Sequence, residues 1–251
     1  MSNESWKVIF EAYGIHKKNF DLSPFIISAT QIKQATRHFE RTSEKEVRIL
    51  CKQDTREDRP EIFVENGLFL LPIRNGEYAI IKGEGYFDIP PIAGTTSTYR
   101  TKLGFQLDTS SIGNSEMQHL DFAYATSLVR TFLQDESLVL TIRGRKYTPR
   151  FSFRIGTHDI TAESVQTEVD AGYEGKNQVV LIEAKNSTTT NVIIRQLFYP
   201  FRQWQQHTKK PVKTVFFEKR GDLYSLWQFA FDDPDDYNSI RLERSQCYEI
   251  K

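Results

Sequence analysis

Residues 165–185 read VQTEVDAGYEGKNQVVLIEAK, and this stretch decides the expected fold. Val165–Asp170 is predicted to form one β-strand, and Gln178–Ala184 is predicted to form a second, buried strand because its centre is apolar without alternation. Gly172 and Gly175 lie in the turn between them. We expect the two strands to pair within a mixed α/β sheet.

The charged side chains of this stretch are expected to meet near one end of the paired strands. Because side chains alternate across a strand, Glu183 and Lys185 project to one face and Ala184 to the other. The same period places Glu168 and Asp170 on a common face of the preceding strand. Pairing through the turn would bring Asp170 and Glu183 together.

Two convergent carboxylates favour Mg²⁺, which takes oxygen ligands and keeps waters for substrate phosphate and nucleophile. The metal would polarise a phosphate and favour a hydroxide nucleophile. Lys185 would orient the attacking water or stabilise charge that builds on the phosphate. The pattern therefore indicates phosphodiester hydrolysis, while an ion pair of Lys185 with Glu183 or Asp170 is an equally simple explanation of the spacing.

A second triplet of the same kind, Glu174-Gly175-Lys176, lies in the predicted turn, where no strand fixes its geometry. The triplet Glu183-Ala184-Lys185 instead directly follows the apolar run Val179–Ile182. A charged side chain next to such a run costs free energy unless it is paired or takes part in function. Glu183 and Lys185 are therefore the stronger candidates.

The elements around this stretch indicate a mixed β-sheet flanked by helices. Apolar residues at three-to-four-residue spacing predict an amphipathic helix over residues 115–134. A second helix is predicted at Val192–His207, with a kink at Pro200. The further predicted strands are Leu138–Arg143, Arg150–Ile155, Val212–Glu218 and Tyr224–Phe231.

The loop-rich stretch Asp88–Ser111 is the expected boundary between residues 1–90, a small α+β subdomain, and residues 91–251, the larger domain. In the subdomain we predict a helix from the capping box at Ser28 to about Phe39, and another at Ser43–Lys52. A three-stranded meander should follow, with Asn-Gly turns, at Ile62–Val64, Leu68–Ile73 and Tyr78–Ile81. This order suggests a winged-helix-like module, or else a packing subdomain.

Composition excludes several classes of protein. With 33 basic and 33 acidic residues among 251, net charge alone does not predict a polyanion partner. Cys51 and Cys247 are too few for a disulfide framework, and Met1–Phe10 lacks the apolar core of a signal peptide. No apolar run approaches the ~18 to 20 residues that span a bilayer. We expect a cytoplasmic protein with no membrane partner.

Asp170, followed thirteen residues later by Glu183-Ala184-Lys185, resembles the PD-(D/E)xK nuclease motif. Gln196 with Tyr199 is similar to a Gln/Tyr helix motif found in some members of that superfamily. The wider context resembles bacterial type II restriction endonucleases, and the resemblance covers roughly residues 115–237. It departs from the motif at Val169, where the motif's name has proline.

The resemblance implies that residues 91–251 are a PD-(D/E)xK nuclease domain with a restriction-endonuclease-like mixed β-sheet core and a Mg²⁺ cofactor. Residues 1–90 would then be an accessory, DNA-contacting subdomain. The resemblance also implies that Asp170 and Glu183 are metal ligands and that Lys185 is the catalytic lysine. Glu168 is a possible further carboxylate, with a solvated strand residue as the alternative. Glu116 could reach the metal through water, or only stabilise the start of its helix. Gln196 and Tyr199 are candidates for positioning Lys185 or phosphate, with packing of the helix on the sheet as the alternative.

Basic side chains cluster on either side of the acidic stretch, the pattern of a metal site in a cationic groove. A solvated surface charge is the alternative for each of them. The loop 94–102 is suited to phosphates or bases, although an ordinary linker would look the same. The residues predicted to bind DNA are Arg100, Lys102, Arg143, Arg145, Lys146, Arg150 and Arg154, with a second cluster at Lys209, Lys210, Lys213, Lys219 and Arg220.

Together these features predict a type II restriction endonuclease that cuts double-stranded DNA at a short site as a homodimer. One alternative is a repair or junction nuclease of the same superfamily. Another is a DNA-binding regulator that does not cut, built on the winged-helix-like part.

Overall fold

The computed structural model describes residues 3–186 and 188–251. Helices and a three-stranded antiparallel sheet with strand order β1-β3-β2 form its first part. The elements are α1 (Asn3–Ala12), β1 (Phe25–Ser28), α2 (Ala29–Thr36), α3 (Thr42–Lys45), α4 (Val47–Leu50), α5 (Glu61–Glu65), β2 (Leu68–Arg74) and β3 (Glu77–Lys82).

Local signals explain the start of α2 and the β2–β3 turn. The Gln31 backbone N–H donates to Ser28 Oγ (3.2 Å), and the Ser28 N–H donates to Gln31 Oε1 (2.9 Å). This confirms the predicted capping box. Gly76 joins β2 to β3 with φ of +77°, a conformation that glycine adopts without strain.

Two predictions for the first part are wrong. Ile62–Val64 is not a strand but lies in α5, where Phe63 packs on Trp6 of α1 with ring centroids 4.8 Å apart. The third strand is β1, which pairs with β3. The helix predicted at Ser43–Lys52 is two short helices, α3 and α4, because Glu46 between them is extended.

The second part contains a seven-stranded sheet with strand order β5-β14-β13-β12-β10-β9-β6. The β10–β12 and β14–β5 pairs are parallel, and the others are antiparallel. The strands are β4 (Tyr86–Asp88), β5 (Ser97–Tyr99), β6 (Val139–Tyr147), β7 (Phe151–Ile155), β8 (His158–Ala162), β9 (Gln166–Glu174), β10 (Val179–Lys185), β11 (Asn191–Ile193), β12 (Val212–Arg220), β13 (Leu223–Phe231) and β14 (Ile240–Ile250). The helices are α6 (Glu116–Ala125), α7 (Leu128–Leu133) and α8 (Arg195–Gln205).

Helices cover both faces of the large sheet. The α6–α7 pair packs with Val180 and Ile182 on one face, while α8, which connects the parallel strands β10 and β12, packs with Phe216 on the other. β4 pairs with β11, and β7 pairs with β8, outside the large sheet. The predicted mixed α/β class, with a large sheet and flanking helices, is confirmed.

The helix predicted over residues 115–134 is divided into α6 and α7, because Ser127 has a positive φ of 67° that a helix cannot contain. The helix predicted at Val192–His207 begins later, since residues up to Ile193 form β11. Pro200 lies inside α8, as predicted. Within the described residues, no helix is long and apolar enough to cross a membrane.

The hydrophobic core on the α8 face of the large sheet also includes side chains from the first part of the chain. Phe69 and Ile81 of the small sheet belong to the same buried cluster as Phe153, Phe198 and Phe216. The two parts therefore share apolar packing, and the division at residue 90 stays a prediction.

Candidate active site

Asp170 and Glu183 lie on neighbouring antiparallel strands. The registered pairs of β9 and β10 run from Val179–Glu174 to Ile182–Ala171, so these two acids are the next residues on their strands. The Ala184 backbone N–H donates to Asp170 Oδ2 (2.7 Å), which ties that carboxylate to β10. The predicted pairing of the two strands is thus present. The predicted turn is wrong in part, because β9 runs on to Glu174 and Gly172 pairs with Leu181 inside the strand, so only Gly175 lies in the turn.

Lys185 completes a cluster of three charged side chains. Its Nζ lies 2.5 Å from Glu183 Oε1, and the side chains are 22% and 12% exposed, respectively. Ala184, between them, packs in the buried cluster on the other face of the sheet. The ion pair that the spacing allowed is therefore present, next to Asp170.

Burial sets the electrostatics of this cluster. It raises the pKa of Glu183 to about 7, because the Lys185 charge only partly offsets desolvation and the Asp170 charge adds to it. Burial also raises the pKa of Asp170, against the hydrogen bond from Ala184 and the charge of Lys185. Burial lowers the pKa of Lys185, but the charge and hydrogen bond of Glu183, with the charges of Glu116 and Asp170, together outweigh it, so that the pKa of Lys185 is raised as well. Two partly buried carboxyls with raised pKa values favour a proton or a cation beside them.

The donor set fits a hard cation such as Mg²⁺. Among the residues that the structure describes, no group of three or more His, Cys, Asp or Glu side chains is arranged to hold a metal. Mg²⁺ does not need such a group, because it is commonly bound by one or two carboxylates with water and substrate phosphate as its other ligands. Asp170 and Glu183 supply two partly buried carboxylates.

A cavity of about 900 Å³ opens over the cluster. One side is formed by the large sheet and its helices, and the other side is formed by the first part of the chain. The charged residues from the sheet side are Glu116, Arg145, Glu168, Asp170, Glu183, Lys185 and Arg195, and those from the first part are Arg48, Lys52, Asp54 and Arg74.

Three of the four predicted auxiliary residues line this cavity. Glu116, the first residue of α6, raises the pKa of Asp170 through its charge. Glu168 is exposed and pairs with Arg145 (3.2 Å). Gln196 lines the cavity with a buried Oε1 that has no hydrogen-bond partner in the described part of the chain. Tyr199 is instead fully buried, and its hydroxyl donates to the Pro72 carbonyl (2.9 Å).

The predicted DNA-binding residues are spread over several surfaces. Arg143 is held by Asp121, Arg154 by Asp233, and Lys102 by Glu136. Arg145 lines the cavity, and Arg100, Lys146 and Arg150 are exposed. A role in DNA binding stays a prediction for all seven.

Sequence reasoning missed the residues that the first part contributes to the cavity. It also missed Arg195, whose Nη2 lies 3.5 Å from Asp54 Oδ1. A signal existed for Arg48 and Lys52, which are four residues apart in a stretch predicted to be helical and would share one face. Nothing in the sequence indicated which way that face pointed.

Two family models match the chain, and the boundary between the two matched regions lies within β3. A family model described as Domain of unknown function (DUF6997) matches residues 81–249. A second, described as Domain of unknown function (DUF6996), matches residues 3–80. No curated protein and no solved structure matches the chain. Residues from both matched regions line the cavity.

Proposed function

We propose that this chain, which belongs to the family described as Domain of unknown function (DUF6997), is a Mg²⁺-dependent endonuclease. It hydrolyses phosphodiester bonds of double-stranded DNA at a short specific sequence, as type II restriction endonucleases do. The observation that carries the proposal is the convergence of Asp170, Glu183 and Lys185 where the registered pairing of β9 with β10 ends, inside a large cavity.

The arrangement of elements supports the finer description of the fold. A mixed sheet carries the three residues, with α8 on one face and α6 on the other, as expected for a restriction-endonuclease-like core. In the first part, β1 pairs with β3 and the β2–β3 hairpin closes the sheet after several helices. This order supports a winged-helix-like subdomain.

The chemistry follows from what each side chain can do. Asp170 and Glu183 would hold the ion, which when bound supplies Lewis-acid activation of phosphate and of water. Lys185 is protonated, so it donates hydrogen bonds to the attacking water or to phosphate oxygens. Attack by water on phosphorus breaks one P–O bond and leaves one hydroxyl end and one phosphate end.

The proposal includes a homodimer that acts in the cytoplasm. Each chain provides one cluster of Asp170, Glu183 and Lys185, and cutting both strands of a duplex requires two such clusters. A two-fold symmetric protein matches a symmetric DNA site.

The first test is incubation of the protein with a long mapped DNA and Mg²⁺, followed by sequencing of the fragment ends. We expect discrete ends that recur at one short sequence. Asp170→Ala, Glu183→Ala and Lys185→Ala should each lower the cleavage rate by about a hundredfold or more, because each removes a group that acts on the reacting phosphate. Binding measured with Ca²⁺ in place of Mg²⁺ should remain detectable.

Lys176→Ala is the matched control for Lys185→Ala. Lys176 lies in the β9–β10 turn within the triplet Glu174-Gly175-Lys176, is exposed, and is not part of the cavity, so its removal should leave cleavage unchanged. Full activity in any of the three cluster variants would contradict the assignment of the site. Ragged ends would favour a repair nuclease, and DNA binding without cleavage would favour a regulator.

A further inference from the structure

Three basic residues of the first part, Arg48, Lys52 and Arg74, line the cavity on the side opposite β9 and β10. Arg48 and Lys52 lie at and just after α4, and Arg74 ends β2. These positions belong to the region matched by the second family model, whereas the acidic cluster belongs to the region matched by the first. The cavity thus has a basic wall and an acidic wall that come from different parts of the chain.

The basic wall is only weakly neutralised by neighbouring carboxylates. Lys52 is 72% exposed and reaches Asp54 at 3.9 Å, and Arg74 is 58% exposed and reaches Glu77 and Glu163 at 3.5 and 3.4 Å. These distances exceed those of a normal charge-assisted hydrogen bond, about 2.7 to 2.9 Å. Arg48 is also exposed.

Four of the seven basic residues predicted to bind DNA, Lys102, Arg143, Arg145 and Arg154, form ion pairs at 3.2 Å or less. Arg143 makes a two-point contact with Asp121, and the Lys102 ammonium lies against Glu136. Arg145, which does line the cavity, faces Glu168 at 3.2 Å. Arg195 on the sheet side is also only loosely paired, 3.5 Å from Asp54. The strongly exposed, loosely paired cations of the cavity are Arg48, Lys52 and Arg74 of the first part.

The charge balance of the cavity requires such cations if DNA is to enter it. Asp170, Glu183 and Glu116 would repel a phosphate backbone, and the Lys185 ammonium is already paired with Glu183. Lys and Arg side chains that contact phosphates supply most of the sequence-independent affinity for DNA.

We propose that Arg48, Lys52 and Arg74 bind phosphate groups of the DNA strand that is presented to Asp170 and Glu183. The first part of the chain is then one wall of the DNA-binding cleft and not only a packing subdomain. This inference rests on the proposed nuclease function and identifies the phosphate-binding wall of the same site.

The test compares two triple variants in which the same number of positive charges is removed. The cavity variant is Arg48→Ala, Lys52→Ala and Arg74→Ala, and the control variant is Lys17→Ala, Lys33→Ala and Arg37→Ala. The control residues are exposed in the same part of the chain but do not line the cavity. The dissociation constant for a mixed-sequence duplex oligonucleotide is measured by fluorescence anisotropy with Ca²⁺ at several KCl concentrations.

We expect the cavity variant to bind at least about tenfold more weakly. The slope of its salt dependence should be shallower by about 0.9 for each phosphate that the protein no longer neutralises. The control variant should keep the wild-type affinity and slope. Equal thermal melting temperatures would show that both variants are folded. A smaller variant, Arg48→Glu with Lys52→Glu, should also weaken binding.

Wild-type affinity in the cavity variant, or equal weakening in both triple variants, would overturn the phosphate-binding wall. If the wild-type protein still cuts DNA in that case, the proposed function stands without it. If the wild-type protein neither binds nor cuts DNA, both proposals fail together.

Discussion

Glu183 is the residue on which the electrostatics of the site depend most directly. It is buried between a neighbouring carboxyl, Asp170, and a neighbouring ammonium, Lys185. Burial and the like charge together raise its pKa to about 7, against an ordinary value of 4.5. In the absence of a metal, the folded protein therefore holds a proton on Glu183 that the unfolded chain releases at lower pH.

The first prediction concerns the pH dependence of stability in EDTA. Because the folded pKa of Glu183 exceeds the unfolded value, its contribution to the free energy of unfolding falls as pH rises from about 4.5 to about 7. The raised pKa of Asp170 lowers stability above pH 3.8 as well, but Asp170 is present in both proteins that are compared. The raised pKa of Lys185 acts only above 10.5, outside this window. Glu183→Gln should therefore gain stability relative to wild type between pH 5 and pH 8, by up to about 3 kcal/mol.

The measurement is urea unfolding of both proteins at a series of pH values. Glu40→Gln, an exposed position that does not line the cavity, serves as the control and should follow the wild-type curve. A stability difference between Glu183→Gln and wild type that does not change with pH would contradict the prediction.

At the scale of elements, β9 positions Asp170 through close packing against its neighbour strand. Gly172, two residues after Asp170, pairs with Ile142 of β6 and with Leu181 of β10. A Cβ atom at Gly172 would lie 2.6 Å from Ile142 Cβ, closer than real Cβ contacts come. The strand therefore needs glycine there for space.

Gly172→Ala should lower the free energy of unfolding by about 1 to 3 kcal/mol, because the added methyl group forces β6 and β9 apart. The measurement is chemical denaturation, with Gly104→Ala as the control. At Gly104 an added Cβ has no neighbour within 4 Å, so stability should be unchanged. A fully stable Gly172→Ala protein would show that β6 can move away at no cost.

At the scale of the whole molecule, the two regions matched by the family models are joined by a buried ring contact and by part-buried hydrogen bonds. Phe69 of β2 stacks on Tyr237 with ring centroids 6.2 Å apart. Asn191 of β11 donates to Glu57 Oε2 (2.9 Å) and accepts from the Arg56 backbone N–H (2.7 Å). These contacts join the part of the chain that carries the basic wall to the part that carries the acidic cluster.

The shared core predicts that both regions unfold together. In a variant with Trp204→Phe and Trp227→Phe, the fluorescence of Trp6 reports on the first part, while circular dichroism reports on the entire chain. The two unfolding midpoints should coincide. Adding Phe69→Ala should shift both midpoints equally, with a destabilisation of about 3 to 5 kcal/mol. An earlier midpoint for Trp6 fluorescence would mean that the first part unfolds independently.

The sequence by itself determined the features that depend on local periodicity and local hydrogen bonds. The capping box at Ser28, the β9–β10 pairing and the shared face of Glu183 and Lys185 follow from residues near one another in the chain. The mixed α/β class followed from the order of such elements.

Tertiary packing decided the rest. Ile62–Val64 became helical because Phe63 packs on Trp6, and the helix predicted over residues 115–134 was divided at Ser127. The burial of Glu183, and with it the raised pKa, depends on neighbours from several elements. The basic wall could not be predicted from the sequence either, because Arg48 and Glu183 are far apart in the chain. Side-chain periodicity fixes which face a residue lies on, but only long-range packing fixes what that face meets.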